Sequence, residues 1–250
     1  MKKIGTLKWV EASNGKLGLV DRLTLIAQGV KAKADTRRRI TSGQKIRNME
    51  VKDILPPDSP TAREAMAMCE EASQPFLFNH CLRSYFWARL LDDVSEPFDD
   101  EAVFTALMLH DMGLTDKYRL QDAEQQCFTI VGARMADELA SKHNWSDKRA
   151  SIAANAITLH LNVVIDSAHG KEARMVRAGS GGDVAGFGLD ALHDDQIQAV
   201  CDKYPRLNMK RNMRAVIGIE TKERPDCRIA FLDNMFAFRN LIAQAPMFSE

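Results

Sequence analysis

From residue 60 onward, the apolar positions of this chain recur at intervals of three and four, the period of a helix with one face toward a core. The run Leu55-Pro56-Pro57-Asp58-Ser59-Pro60 stops any preceding element, and Ser59 or Thr61 then offers an N-cap for a helix over 62–72. Pro75 suits the first turn of a helix reaching 91, with Phe78, Leu82, Phe86 and Leu90 in its apolar stripes. Asp99 or Asp100 caps a helix over 101–110, on which Val103, Ala106, Leu107 and His110 share one face. Two further helices, 129–143 and 147–160, are parted by Asn144-Trp145-Ser146. Gly179-Ser180-Gly181-Gly182 predicts a break, and 194–203, 210–220 and 226–243 supply the remaining helices. No run of alternating β-branched residues is present, so the fold class is all-α, a helical bundle.

The first fifty residues are less regular. Asn14-Gly15 suits a small hairpin turn after Leu7, Trp9 and Val10, while 17–28 also fits a short amphipathic helix. Residues 31–39, with Arg37-Arg38-Arg39, predict a solvated linker. Residues 1–50 hold twelve Lys and Arg against four Asp and Glu, so they are expected as a short basic N-terminal extension to a domain over 51–250.

Composition narrows the function classes. At 250 residues, 45% hydrophobic and 27% charged, the chain has material for one large core. Its net charge of zero gives no global field to recruit nucleic acid or an anionic membrane, so neither is expected as a partner. A small-molecule substrate is expected instead, and a homo-oligomer is left open. The five cysteines are scattered with no CxxC pair, which argues against a zinc knuckle or a redox motif; Cys81 reads as a packing residue. The N-terminus lacks a secretory signal and no stretch approaches the length of a membrane span, so a cytoplasmic location is expected.

Chemistry concentrates at His110-Asp111, at the end of the 101–110 helix. A carboxylate at the buried end of an apolar helix costs several kcal/mol unless it has a partner. His80, thirty residues earlier on an independent apolar helix, supplies a second imidazole. Two imidazoles and a carboxylate suit a divalent cation. The downstream carboxylates Asp166, Asp183 and Asp190 are all candidates to close the site, although Asp190 also suits an N-cap for 191 onward. His160 ends another helix, as a proton-transfer, supporting or substrate-contacting residue or as an imidazole facing free helix carbonyls. Arg83 and Trp87 follow His80 by three and seven residues, on nearly the same helix face, as candidate substrate contacts or structural partners. His143 reads as a surface helix end.

His80, then His110-Asp111-Met112-Gly113, then a distant Asp is a ligand order that resembles the HD superfamily of metal-dependent enzymes. Phe78-Asn79-His80-Cys81-Leu82-Arg83-Ser84-Tyr85, Ala156-Ile157-Thr158-Leu159-His160, Ala178 through Gly186 and Lys203-Tyr204-Pro205-Arg206 are most similar to its cyanamide hydratase-like branch. The resemblance covers roughly 55–245. It implies an HD-domain helical bundle with one divalent ion held by His80, His110, Asp111 and Asp183. Zinc heads the candidates, with iron, manganese or nickel also suited. Asp111 and His160 are the candidate catalytic groups. The branch implies hydration of cyanamide, or a similar small nitrile, to urea. The superfamily at large implies the alternative, hydrolysis of a nucleotide or other phosphate ester. Many of those phosphohydrolases resemble one another in a Lys soon after His-Asp-x-Gly; Leu114 stands there in this chain, leaving Arg83, Lys117 and Arg119 as substitutes. A dimetal oxygenase is disfavoured by the 32-residue gap from Asp111 to His143, and a non-catalytic module by the buried ligand set.

Overall fold

The computed structural model describes residues 3–92, 94, 96–119, 127–245 and 248. Among them the only ordered elements are helices and one isolated bridge between Lys16 and Cys227. The helices are α1 (Leu7–Ser13), α2 (Leu19–Ser42), α3 (Pro60–Ala72), α4 (Pro75–Leu90), α5 (Asp100–Leu109), α6 (Asp116–Arg119) and α7 (Thr129–Lys142). They continue with α8 (Asp147–Leu159), α9 (Lys171–Ala185), α10 (Asp194–Lys203), α11 (Met209–Glu223), α12 (Arg228–Phe236) and α13 (Phe238–Ala243). The all-α expectation holds.

Two helices are apolar nearly all round and occupy the centre, as such helices must. On α4, His80 through Ala88 are all buried, and on α5 every residue from Ala102 to Leu109 is. Around them pack α3, α8 and α9, with α7 laid on α8. Caps set the boundaries where the sequence pointed. Ser59 accepts from the Ala62 amide at 3.1 Å, and Asp99, not Asp100, accepts from the Ala102 amide at 3.0 Å.

Several local expectations are overturned. Asn14-Gly15 closes no hairpin: both residues take positive φ, 53° and 71°, and they end α1, whose Trp9 and Val10 are buried. The basic run 31–39 is not a linker but the second half of α2, because nothing between Lys31 and Ser42 breaks a helix and Gly43 then stops it at φ 63°. Arg39 is anchored there by a bidentate pair with Asp190 at 2.8 and 2.9 Å. Asp190 is thereby used, and it lies inside a short 3-10 turn, Leu189–Ala191, rather than capping a helix from 191. The expected helix over 226–243 is two helices, broken at Ala237 (φ 52°), where the Asp233 carboxylate takes both the Arg239 amide and its guanidinium.

The glycine run is helical. Gly179 to Gly182 do not break the chain but lie within α9. A Cβ at Gly179 would collide with the backbone carbonyl of Ser84 on α4, so glycine there allows α4 and α9 to approach closely. The N-terminal fifty residues are tied to the same body. Asn162 donates to the Ile4 carbonyl at 2.8 Å, and Arg47 pairs with Asp195 at 2.6 Å. No helix among the described residues is long and apolar enough to cross a membrane.

The close approach yields a stability test. Gly179→Ala should lower unfolding stability by about 1–3 kcal/mol, as overpacking does. Gly181→Ala meets only the Phe187 side chain at 3.2 Å, and should be neutral or slightly stabilising. Thermal unfolding of both variants checks this; equal midpoints would remove the glycine from the α4–α9 contact.

Candidate metal centre

The site forms where the C-terminal ends of α5 and α8 meet one face of α4. His110 is the C-cap of α5, and its Nδ1 lies 2.7 Å from the Leu107 carbonyl. A carbonyl can only accept, so Nδ1 carries the proton and Nε2 is left as a bare acceptor. His160 repeats the device at the end of α8, its Nδ1 donating to the Ile157 carbonyl at 2.6 Å. The two imidazoles meet at right angles with centroids 5.0 Å apart. His160 thus faces both a helix carbonyl and the site.

His80 is oriented differently, with its Nδ1 2.8 Å from the Asp183 carboxylate. Its Nε2 points at the His110 Nε2, 3.1 Å away. The Asp111 Oδ2 stands 3.3 Å from the first nitrogen and 3.4 Å from the second. One donor atom each from His80, His110 and Asp111 therefore lies within 4.8 Å of the others. With His80 neutral and its proton on Nδ1, all three are acceptors facing one another, and the His160 Nε2 looks on from 3.7 Å beyond the Asp111 Oδ1. Buried acceptor lone pairs do not converge without something positive between them. Two imidazole nitrogens and a carboxylate oxygen are ligands for a divalent transition ion, and they fit one here.

The titration of these groups shows the same field. Burial alone would lower the His80 pKa, but hydrogen bonds and charge from Asp111 and Asp183 outweigh it and push it up. Burial would raise Asp111, yet His110, His80 and His160 hold it well below the ordinary carboxylate range. Burial, aided by His110, brings His160 down to about 3, so it is a neutral base at physiological pH.

Local backbone explains the convergence. Asp111 sits at φ −108°, ψ 12°, between the end of α5 and a 3-10 turn, Met112–Leu114. Within that turn the bare α-carbon of Gly113 lies against the Phe128 carbonyl, where a Cβ would collide. Phe128 in turn packs on the His160 ring at 5.8 Å.

Asp183 lies on α9 on the far, Nδ1 side of His80, outside the three-residue cluster. Arg83 and Trp87, expected as substrate contacts, are fully buried and both directed at Asp183. Arg83 donates to it twice, at 2.7 and 2.8 Å, and the Trp87 indole once, at 2.8 Å. Asp166 caps a turn at the surface, and Asp190 holds Arg39. His143 pairs with Glu64 at 2.9 Å. Two participants escaped sequence reasoning. Arg206 reaches Asp183 at 3.4 Å and lies over Phe248, although its stretch carried the family resemblance. Arg228, fully buried, donates to the Thr158 carbonyl at 2.7 Å and to Asn162 at 2.9 Å, bracing the helix end that presents His160.

The family model of the HD domain matches residues 77–205, a span holding His80, His110, Asp111, His160 and Asp183. Two cyanamide hydratases of Saccharomyces cerevisiae, DDI2 and DDI3, are each 23% identical to the chain over 176 residues. That alignment covers 69% of this chain and 77% of either relative.

Replacing His110 or Asp111 by alanine should remove most of the retained metal after dialysis, read by elemental analysis beside circular dichroism. Metal retention should also fall as pH is lowered. The raised His80 pKa favours its protonated form, and that proton must leave before the nitrogen can ligate. Retention that is flat between pH 8 and about 5 would show that His80 is not a ligand.

Proposed function

Because the chain belongs to the HD-domain family, we propose that this metal-dependent enzyme hydrates cyanamide, or a nitrile of similar size, to the corresponding urea or amide. The observation that carries this reading is where the cations are. Phosphoester hydrolysis gains from positive charge around the phosphate. Leu114, in the place where many HD phosphohydrolases resemble one another in a lysine, is buried. Each of the three candidate substitutes has a carboxylate partner outside the cluster. Arg83 is on Asp183, Lys117 pairs with Glu71 at 2.7 Å, and Arg119 pairs with Glu223 at 2.8 Å. Residues 120–126 contain no Lys or Arg. An uncharged nitrile needs no such clamp.

Access favours a small substrate as well. The His80 and His110 side chains are 0% and 1% exposed, while Asp111 and His160 each show 6%. A substrate therefore meets Asp111 and His160 first.

His80, His110 and Asp111 would hold a divalent ion, which would supply Lewis acidity and bring the pKa of a nearby water toward ~7. We take zinc as that ion, with iron, manganese and nickel as the others the donor set suits. His160, neutral and with its Nε2 free, accepts the proton that water loses as its oxygen bonds to the nitrile carbon. The same nitrogen returns the proton to the nitrile nitrogen, which has gained the electron pair of the broken π bond. Proton shift within the resulting isourea gives urea. Asp111 holds the approach to His160, and the Ile157 carbonyl keeps that ring in the tautomer the transfer requires.

Zinc-loaded protein should convert cyanamide to urea and leave nucleoside monophosphates and p-nitrophenyl phosphate largely untouched. His160→Gln should lose at least about 100-fold in kcat, the scale of general acid–base catalysis, while keeping its metal. Rapid phosphate release from nucleotides, with no urea from cyanamide, would replace this reading by the phosphohydrolase.

A further inference from the structure

The resemblance to HD enzymes implies a fourth ligand at Asp183, and the geometry around that carboxylate points elsewhere. Resting on the divalent-ion reading of the site, we propose that Asp183 does not ligate the ion. It is the positioning residue for His80, locking the Nδ1–H tautomer so that Nε2 faces the ion. Three protein ligands then leave positions for both water and substrate.

The Asp183 carboxylate is saturated with donors. A carboxylate offers about four lone-pair sites. Asp183 already receives the Arg83 Nε at 2.7 Å, the Arg83 guanidinium terminus at 2.8 Å, the Trp87 indole at 2.8 Å and the His80 Nδ1 at 2.8 Å. Arg206 adds a fifth contact at 3.4 Å and a second hold on the Asp183 backbone carbonyl at 3.2 Å. No lone pair is left to point at a metal.

Asp183 also lies in the wrong direction. Asp183 is on one nitrogen of the His80 ring, and His110 and Asp111 are on the other. An ion about 2.1 Å from the His80 Nε2 would stand on the order of 6 Å from the Asp183 oxygen, across the ring. For Asp183 to reach it, the carboxylate would have to leave Arg83 and Arg206, giving up its charge pairing with two buried guanidinium groups.

The fold itself builds the contact between α4 and Asp183. His80, Arg83 and Trp87 lie at i, i+3 and i+7 on one face of α4, and all three meet Asp183 on α9. Their meeting is possible because Gly179 lets the two helices come together one turn away. A carboxylate that accepts from the non-ligating nitrogen of a metal-bound imidazole fixes the ring and raises its basicity. Here that carboxylate is itself fixed by two arginines and an indole.

Two measurements on the 250-residue chain test the assignment. A crystal structure of the wild type grown with zinc should place the ion on His80, His110 and Asp111, with Asp183 still on the His80 Nδ1. An Asp183 oxygen at about 2.0–2.2 Å from zinc would overturn the proposal. Zinc affinity, read by competition with a chromophoric chelator, supplies the second. Asp183→Asn should weaken binding by about 10–100-fold in the wild type, and by less than about threefold when His80→Ala is already present, because it acts through that ring. Equal losses in both backgrounds would mark Asp183 as a direct ligand. A wild type that binds no zinc would instead remove the divalent-ion reading, and the proposal with it.

Discussion

Two imidazole nitrogens and a carboxylate oxygen, all buried, face each other across 3.1 to 3.4 Å, three acceptors when both rings are neutral. Hydrogen bonds on the far side of each ring enforce this. Leu107 takes the only proton of a neutral His110, and Asp183 takes that of His80. In the absence of a metal the repulsion is relieved by protonating His80, whose pKa is pushed up accordingly. A divalent ion relieves it better, with two charges at one point and a ligand set made for it. The rest of the structure makes sense as the means of holding these acceptors together.

Helix ends do part of that work. His110 and His160 each terminate a helix and turn Nδ1 back onto a carbonyl three residues earlier, where free carbonyls are available. Each helix end thus fixes a tautomer without recruiting another side chain. Helix contact does the remainder. α4 and α9 approach at Gly179, which brings Asp183 against three α4 side chains, and Arg206 closes the arrangement from beyond α10. Membership of the HD-domain family and the distant likeness to the yeast cyanamide hydratases are consistent with this architecture.

Much of the site was legible because its residues follow helical spacing. His80, Arg83 and Trp87 share a face by simple periodicity, and His110-Asp111 stands out as polarity at the end of an apolar helix. Which partner each would face was not legible, because that depends on the distance between α4 and α9. Gly179 to Gly182 read locally as a break, since glycine lacks intrinsic helix propensity; close packing against Ser84 outweighs that deficit. Arg37-Arg38-Arg39 likewise read as linker, because solvated charge looks the same in a coil as on the outer face of a helix. Nothing local to Arg206 or Arg228 says which distant groups they meet. Arg206 reaches Asp183, 23 residues away, and Arg228 reaches Asn162 and the Thr158 carbonyl, 66 and 70 residues away.

The most direct measurement is the metal content of the purified wild-type protein after zinc loading and gel filtration, by elemental analysis against protein concentration. The account predicts about one equivalent per chain, retained through buffer exchange and released by acid. Fewer than about 0.2 equivalents in a correctly folded protein would contradict it, because the converging acceptors would then be held by a proton alone.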